Sequence, residues 1–174
     1  TTEIYTLSLH DALPIWETLL DTIAAIKPFF FTNHLTGARE IFIQDLKNNA
    51  YLINAAGRVL WKAPLRERIT SSIYMVDAFR NGKYQLLFSG RNYLHMLDRN
   101  GNYVERYPVK LRSPATNPLA LFDYDNNRNY RILIAGEDKM IYAYDITGNV
   151  LRGWKPFRTR SEEHTSELQS RQSI

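Results

Sequence analysis

The chain has no cysteine among its 174 residues, which excludes disulfide bonds, thiolate catalysis and cysteine-ligated metal sites. No apolar run approaches the roughly 18 residues that a membrane-spanning helix needs. Helical spacing of apolar residues is not sustained over any segment of the central part. These absences predict no membrane span and argue against a helical fold. They do not choose a compartment, since many exported bacterial proteins also lack cysteine.

The two ends of the chain differ from its centre. Residues 1–15 read TTEIYTLSLHDALPI, and residues 160–174 begin RSEEHTSELQS. Both stretches resemble translations of DNA sequencing adapters, and such additions are excluded before a fold is argued. We therefore expect residues 16–159 to be the native part, cut from a longer protein, with polar native tails as the alternative. Leaving out the two basic and five acidic residues of the ends raises the net charge from +4 to +7.

The composition of the central part is typical of β-strands joined by tight turns. It is rich in Tyr, Phe, Ile, Leu and Val and carries many Asn and Gly, residues that favour strands and turns respectively. Its basic residues are spread over every segment instead of being clustered in one. Nucleic-acid binding usually needs basic residues on a single face, so no nucleic-acid partner is expected.

A repeat of about 45 residues runs through the central part, which is the length of a propeller blade. In the alignment Trp16 corresponds to Trp61, and Gly37 corresponds to Gly82. In the next copy Asp77 corresponds to Asp123. Short strands at this period predict an array of similar four-stranded units.

Each copy contains the same turn: Asn or Asp, two residues, Gly, then a strand that ends in an aromatic residue. The Asn or Asp side chain can accept hydrogen bonds from nearby backbone N–H groups, and the Gly can take the positive φ that a hairpin needs. The aromatic residues recur at one repeat position, which indicates packing between blades. The turn pairs are Asn54 and Gly57, Asp98 and Gly101, and Asp145 and Gly148, and the aromatic residues are Trp61, Tyr107 and Trp154.

We predict an all-β fold, a fragment of a β-propeller with about three four-stranded antiparallel blades at residues 28–65, 73–111 and 118–157. Strands are predicted at residues 29–32, 40–44, 50–54 and 58–62, then at 73–77, 84–89, 93–98 and 103–109, and finally at 119–122, 130–135, 140–145 and 150–154. Residues 16–20 match the last strand of a still earlier unit. The continuous apolar runs IFI, LLF and ILI predict strands buried on both faces.

Two stretches carry a family resemblance. YAYDITGNVLRGW is similar to the repeat of quinoprotein-like (PQQ-type) propellers, and LALFDYDNNRNYRILIAG resembles the FG-GAP/VCBS repeat. The resemblance implies a bacterial propeller protein, with a periplasmic or cell-surface location favoured. It does not define an activity, because fold does not imply function. A non-catalytic scaffold and a propeller enzyme, such as a PQQ-type dehydrogenase with catalytic residues outside this chain, both remain open.

One loop of the third unit is a candidate calcium site. Asp123, Asp125 and Asn127 alternate along a tight loop, and oxygen side chains in that pattern suit a hard cation. Arg128 and Arg131 stand where the FG-GAP pattern has glycine and an acidic ligand, and both would repel Ca²⁺. The favoured alternative is a turn capped by its own aspartate. No other cofactor and no catalytic residue is assigned.

The favoured function is a non-catalytic scaffold for a protein or a polar ligand. Propellers bind through the loops that join their strands, because the strands are fixed in the blades. The matching loops are residues 33–38, 78–83 and 124–129, which are rich in Asn, Arg and Gly. Arg66 and Arg112 recur between units and are expected to brace neighbouring blades. His34 and His95 lack partner ligands at matched positions and are given no role.

Overall fold

The computed structural model describes residues 16–158, so the two ends interpreted as adapter-derived lie outside the described residues. This part of the chain contains no α-helix, and therefore none long and apolar enough to cross a membrane. Its strands form three four-stranded sheets, called here blades 1, 2 and 3 in chain order. Blade 1 contains β1 (Phe29–Thr32), β2 (Arg39–Gln44), β3 (Asn49–Ile53) and β4 (Val59–Pro64). Blade 2 contains β5 (Tyr74–Val76), β6 (Gln85–Ser89), β7 (Tyr93–Leu97) and β8 (Val109–Lys110). Blade 3 contains β9 (Ala120–Phe122), β10 (Arg131–Ala135), β11 (Met140–Asp145) and β12 (Phe157–Arg158).

Within every blade the strands follow one another in chain order and pair antiparallel. In blade 1, for example, Phe42 of β2 lies opposite Phe29 of β1 and Leu52 of β3. The first and last strands of each blade are its two edge strands. The chain leaves a blade after its fourth strand and enters the following blade at that blade's first strand, β5 or β9. The predicted all-β fold of three four-stranded antiparallel blades is therefore confirmed.

The fourth strand of blade 2 is shorter and lies later than predicted. Residues 103–109 were expected to form it, but Tyr103 makes only a single bridge to Leu97, and the paired strand begins at Val109. Between these points Arg106 has a φ of 72°, a left-handed conformation that strands do not use. Pro108 also has no N–H to donate to a ladder. The chain therefore turns where the sequence pattern predicted a continuous strand.

The fourth strand of blade 3 departs from its prediction in the same way. Residues 150–154 were expected to form it, but Val150 makes one bridge to Tyr144 and the paired strand begins at Phe157. Gly153, with a φ of 80°, turns the chain between them. The outer strands β8 and β12 thus have two residues each, whereas β4 of blade 1 has six and pairs with β3 at five positions.

Residues 16–20 do not form the predicted strand. They belong to a segment that covers the face of blade 1 turned away from blade 2. On that face Ile43, Tyr51 and Ile53 are buried. The covering side chains are those of Trp16, Leu20 and Ile26.

The main cores lie between the blades. One cluster joins Phe42 and Leu52 of blade 1 to Phe88 of blade 2, and a second joins Leu87 of blade 2 to Ile132 of blade 3. Because successive residues of a strand point to opposite faces, β6 serves both clusters. All five of its residues are buried, as the apolar run LLF predicted. The blades are consequently fixed against one another by apolar packing.

Candidate interaction face

The loops that join the first two strands of each blade begin with a capping residue. Asn33 Oδ1 accepts a hydrogen bond from Leu35 N at 2.9 Å. The Asp77 carboxylate accepts from Asn81 N at 3.0 Å and from Gly82 N at 2.9 Å. Bonds from a side chain to its own loop hold the backbone in a turn. Asp123 in blade 3 occupies the matching position, described below, so all three loops are locally ordered.

The turns between the third and fourth strands lie at the same end of the blades. Asn54 Oδ1 accepts from Arg58 N at 2.9 Å, and Asp98 Oδ1 accepts from Asn102 N at 2.9 Å. Asp145 Oδ1 accepts from Asn149 N at 3.0 Å. The glycines of these turns all have positive φ, which L-residues rarely adopt. Their φ values are 77° for Gly57, 83° for Gly101 and 82° for Gly148.

We call this end of the blades the loop face. It consists of the loops at residues 33–38, 78–83 and 124–129 and the turns at residues 54–57, 98–101 and 145–148. Both sets meet at one end because antiparallel strands reverse direction at each connection. The turns between the second and third strands, including Leu46 and Lys47 in blade 1, lie at the opposite end.

Aromatic residues of blades 1 and 2 each anchor the following blade at the loop face. Trp61 Nε1 donates to Arg99 O at 2.7 Å, and its ring covers Gly101 so closely that a Cβ there would lie 2.7 Å from it. Tyr107 donates its hydroxyl to Ile146 O at 2.8 Å. Burial raises the pKa of Tyr107, so the hydroxyl stays protonated and remains a donor.

Trp154, the third aromatic residue of this series, has a different environment. Its Nε1 donates to Ile141 O of its own blade at 3.0 Å, and its ring packs against Phe157 with centroids 5.6 Å apart. Residues 16–158 contain no fourth sheet for it to contact. Of the three aromatic residues in this series, Trp61 and Tyr107 therefore contact the following blade within the described residues, and Trp154 does not.

Two arginines cross from one blade to a buried carboxylate of the preceding blade. Arg99 of blade 2 contacts Glu40 of blade 1 through both Nε, at 3.0 Å, and Nη2. Asn33 Nδ2 donates to the same carboxylate at 3.1 Å. Arg128 of blade 3 donates from Nη1 to Asp77 of blade 2. Neither pair was predicted from the sequence, because the partners are 59 and 51 residues apart.

Each loop of the loop face carries an exposed large apolar or aromatic side chain near its start. Leu35 is 76% exposed, Phe79 is 59% exposed and Tyr124 is 82% exposed. They follow the capping residues Asn33, Asp77 and Asp123 by one or two positions. These loops were predicted to be polar, and their apolar tips were not predicted from the sequence. A large apolar residue one or two positions after an Asn or Asp cap is the signal that could have found them.

A cavity of about 410 Å³ opens on the loop face between blades 1 and 2. The loops at residues 33–38 and 78–83 and the turn that contains Asp98 form its walls. Leu35 and Phe79 contribute apolar surface, and Lys83 contributes a cation. The cavity thus brings together two of the three loops that were predicted to bind a partner.

The calcium candidate adopts the geometry of a capped turn. The Asp123 carboxylate accepts from Asn127 N at 3.1 Å and from Arg128 N at 2.9 Å. Asn127 Oδ1 accepts from Asn129 N at 2.9 Å. Asp125 is exposed and makes none of these bonds. Calcium at Asp123, Asp125 and Asn127 stays a prediction, and the hydrogen bonds favour the alternative of a turn capped by Asp123.

Metal-ligating clusters do not occur in the described part of the chain. No group of three or more His, Asp or Glu side chains in residues 16–158 is close enough to hold a metal ion. His34 lines the cavity of the loop face, and its Nδ1 is buried without a hydrogen-bond partner among the described residues. This environment gives no support for a metal-binding role for His34.

His95 is part of the packed interior of blade 2. Its ring stacks on Phe88 with centroids 5.2 Å apart, and Nδ1 lies 3.0 Å from the Tyr103 hydroxyl. Burial lowers the pKa of His95 to about 4, although the Glu67 carboxylate opposes this effect. The nearby Arg66 guanidinium lowers the pKa further. His95 is consequently neutral at pH 7 and stabilises the interior by packing.

The two recurring arginines contact aromatic residues. Arg66 lies over the Tyr93 ring at 5.4 Å, a cation–π contact between the segment after blade 1 and a strand of blade 2. Arg112 donates its backbone N–H to the Tyr144 hydroxyl at 3.3 Å. Arg66 therefore contacts a neighbouring blade through an aromatic ring.

Comparisons with known proteins show the fold class. No protein family matches the sequence, and no curated protein matches it. The crystal structure of BBS1N in complex with ARL6DN, soaked with lead, is 15% identical with a TM-score of 0.53, covering 82% of this chain and 45% of that chain. The mercury-soaked form of that complex is 14% identical with a TM-score of 0.52, covering 76% and 39%. A protein of unknown function from Bacteroides caccae is 10% identical with a TM-score of 0.42, covering 79% and 56%.

The first two similarities support a β-propeller arrangement of the three blades, and the third is too low to support an inference. The chain spans less than half the length of the BBS1N structures that it matches. Since the identities are low, the likeness concerns the fold alone. The resemblance of the repeats to PQQ-type and FG-GAP sequences stays a prediction, because no protein family matches.

Proposed function

We propose that this chain is a non-catalytic β-propeller scaffold that binds a protein partner through its loop face. The observation that carries the proposal is the row of exposed apolar tips, Leu35, Phe79 and Tyr124, one on each blade. Large apolar and aromatic side chains at the centre of an interface contribute most of the binding energy. A repeated tip on successive blades presents an extended surface instead of a closed pocket for a small substrate.

The loops that carry these tips are ordered before any partner binds. Asn33 and Asp77 fix the backbone of their loops through hydrogen bonds, and Arg128 ties the third loop to Asp77. A surface that is already ordered loses less conformational entropy on binding than a flexible one. The loop face therefore has both the side chains and the rigidity that a protein interface requires.

The structural comparison is consistent with this role. The similar structures of BBS1N are complexes with ARL6DN, so a chain of this fold class binds a protein. The described residues also lack a cluster of acidic or histidine side chains that would support metal-dependent chemistry. For these reasons we favour an interaction scaffold over a propeller enzyme.

The proposal is tested by affinity capture with a variant of the loop face. Leu35→Ser, Phe79→Ser and Tyr124→Ser are combined in one protein, and Leu46→Ser at the opposite end is the control, because Leu46 is also exposed, at 50%. Proteins retained from an extract of the source organism are quantified by mass spectrometry. We expect a partner that the unchanged chain and the control retain and that the triple variant loses by at least about tenfold. Equal retention by all three proteins would contradict the proposal.

A further inference from the structure

The cavity on the loop face is lined by both apolar and charged side chains, which favour some kinds of partner over others. We propose that it binds an acidic side chain of the partner, carried on a peptide segment with a large apolar residue beside it. This inference rests on the proposed function, because it specifies the chemistry of the partner at the same face. The inference depends on which charged groups around the cavity already have hydrogen-bond or ion-pair partners within the described part of the chain and which have none.

The walls of the cavity provide apolar surface for a side chain. Leu35 and Phe79 line it from the first loops of blades 1 and 2. Both side chains are more than half exposed, so they gain burial when an apolar group enters between them. The volume of about 410 Å³ is in the range of sites that accept small groups, and it accommodates an apolar side chain together with a polar neighbour.

The charged groups at the turn beside the cavity are already satisfied. The Arg99 guanidinium is bound by the Glu40 carboxylate. Asp98 Oδ1 accepts from Asn100 N at 2.8 Å and from Asn102 N at 2.9 Å. Asp98 Oδ2 accepts from Asn102 Nδ2 at 3.4 Å. The acceptor positions of Asp98 are therefore occupied by backbone and amide donors.

Lys83 differs from these groups. Its backbone N–H donates to Asn81 Oδ1, and its carbonyl accepts from Gln85 Nε2, so the loop fixes where the side chain starts. Among the described residues the Lys83 ammonium has no hydrogen-bond or ion-pair partner. Arg80, in the same loop, is exposed and also has no ion pair in that part of the chain. Among the charged Asp, Lys and Arg side chains that line the cavity, Lys83 is therefore the one whose charged group has no partner in the described part of the chain.

An acidic and apolar peptide segment complements this arrangement. A carboxylate accepts charge-assisted hydrogen bonds from an ammonium group, which are stronger than neutral ones. A basic segment would place like charges together at Lys83, which costs free energy. An uncharged apolar segment would fill the walls between Leu35 and Phe79 but leave the ammonium without a partner. Charge and shape together therefore favour Asp or Glu beside a large apolar residue.

The test uses two fluorescent peptides and the full 174-residue chain. One peptide carries Glu-Phe-Asp-Leu between Gly and Ser residues, and the other carries Lys-Phe-Lys-Leu in the same background. Dissociation constants are measured by fluorescence anisotropy for the unchanged chain and for Lys83→Gln, Lys83→Arg and Lys47→Gln. Lys47 is the matched control because it is an exposed lysine in a turn at the opposite end of blade 1. Circular dichroism checks that each variant is folded.

We expect the acidic peptide to bind and the basic peptide not to bind. Lys83→Gln should weaken the acidic peptide by about tenfold, whereas Lys83→Arg and Lys47→Gln should leave its affinity within about twofold. The affinity should also fall as NaCl is raised, because salt screens exposed charges. Equal binding of the two peptides, no effect of Lys83→Gln, or no saturable binding of the acidic peptide would overturn the inference.

This outcome is separable from that of the proposed function. If affinity capture loses the partner with the triple variant of the loop face but keeps it with Lys83→Gln, the interaction face stands and the acidic-peptide inference is wrong. If the triple variant retains the partner, the proposed function itself fails. The two experiments therefore assign a negative result to one claim or the other.

Discussion

The two interfaces between neighbouring blades share a topology but differ in chemistry. The first interface, between blades 1 and 2, is built around three fully buried phenylalanines, Phe31, Phe42 and Phe88. The second interface, between blades 2 and 3, contains no buried phenylalanine among the described residues and is built around leucines, isoleucines and tyrosines, including Leu87, Ile132 and Tyr144. Phenylalanine contributes only apolar area, whereas a buried tyrosine also needs a hydrogen-bond partner. Equivalent positions in a repeat therefore do not carry equivalent free energies.

The ion pairs at the two interfaces also differ, in the exposure of the arginine and in the number of its nitrogens that contact the carboxylate. Arg99 at the first interface has a side chain that is 23% exposed and contacts Glu40 with two nitrogens. Arg128 at the second interface is 49% exposed and contacts Asp77 with one nitrogen. The more buried and bidentate pair is the stronger constraint. The first interface, beside which the cavity of the loop face lies, is consequently the more tightly fixed of the two.

The largest expected effect comes from the core of the first interface. Phe88→Ala removes a fully buried ring that packs on Phe42 at 5.7 Å and should lower the free energy of unfolding by about 4 kcal/mol. Ile132→Ala at the second interface removes a smaller side chain and should cost about 3 kcal/mol. Urea denaturation followed by fluorescence measures both. Phe79→Ala, at an exposed ring, is the control and should change stability little. A larger loss for Ile132→Ala than for Phe88→Ala would reverse the comparison.

The ion pairs offer the next largest effect. Arg99→Ala leaves the buried Glu40 carboxylate with only the Asn33 amide and should cost about 3 kcal/mol. Arg128→Ala should cost about 1 kcal/mol, because Asp77 keeps its backbone donors Asn81 and Gly82. Both are measured by urea denaturation. Adding Glu40→Gln to Arg99→Ala should recover part of the loss, since it removes the unpaired charge. Equal losses of unfolding free energy for the two arginine variants would show that the difference in burial does not make one ion pair stronger than the other.

The stability of the first interface should also depend on pH through His95, which stacks on Phe88. The pKa of His95 is lowered from 6.5 to about 4 in the folded chain, so the unfolded chain binds more protons between these values. The stabilisation is therefore present above pH 6.5 and is lost as the pH falls towards 4. Between pH 7.5 and pH 5 the free energy of unfolding should fall by about 2 kcal/mol from this residue.

Urea denaturation at several pH values checks this dependence. The groups that face His95 are Glu67, Arg66, Tyr103 and Tyr93. His95→Gln should flatten the profile between pH 7.5 and pH 5, because glutamine does not bind a proton in this range. A His95→Gln profile as steep as that of the unchanged chain would assign the pH dependence to another group.

The sequence predicts those features of the fold that depend on local pattern. The run LLF predicted a strand buried on both faces, and β6 has this property because adjacent residues of a strand point to opposite sides. The outer strands of blades 2 and 3 were misplaced because Arg106 and Gly153 adopt left-handed conformations that turn the chain. Residues 16–20 were read as a strand, whereas Trp16 packs on the face of blade 1. For residues 16–20, packing against blade 1 takes the place of strand pairing.

The candidate site was predicted in part. The loops at residues 33–38 and 78–83 do meet at a cavity, since matching connections of a repeat lie at the same end of the blades. The pairing of Arg99 with Glu40 could not be predicted, because the next interface uses residues at different repeat positions, Arg128 and Asp77. Which charged side chains at the cavity are paired among the described residues, and that Lys83 is not, depends on these long-range contacts. The sequence alone therefore does not predict the charge that the cavity offers to a partner.

The smallest expected effect separates the two aromatic anchors. Tyr107→Phe removes only the hydroxyl that donates to Ile146 O at 2.8 Å and should cost about 1 kcal/mol, because the carbonyl is left without this donor. Trp61→Phe removes the Nε1 donor to Arg99 O and also part of the ring that covers Gly101, so its loss should exceed that of Tyr107→Phe. Urea denaturation of both variants measures the difference. If Tyr107→Phe costs as much as Trp61→Phe, the hydrogen bond and not the ring is what joins neighbouring blades at the loop face.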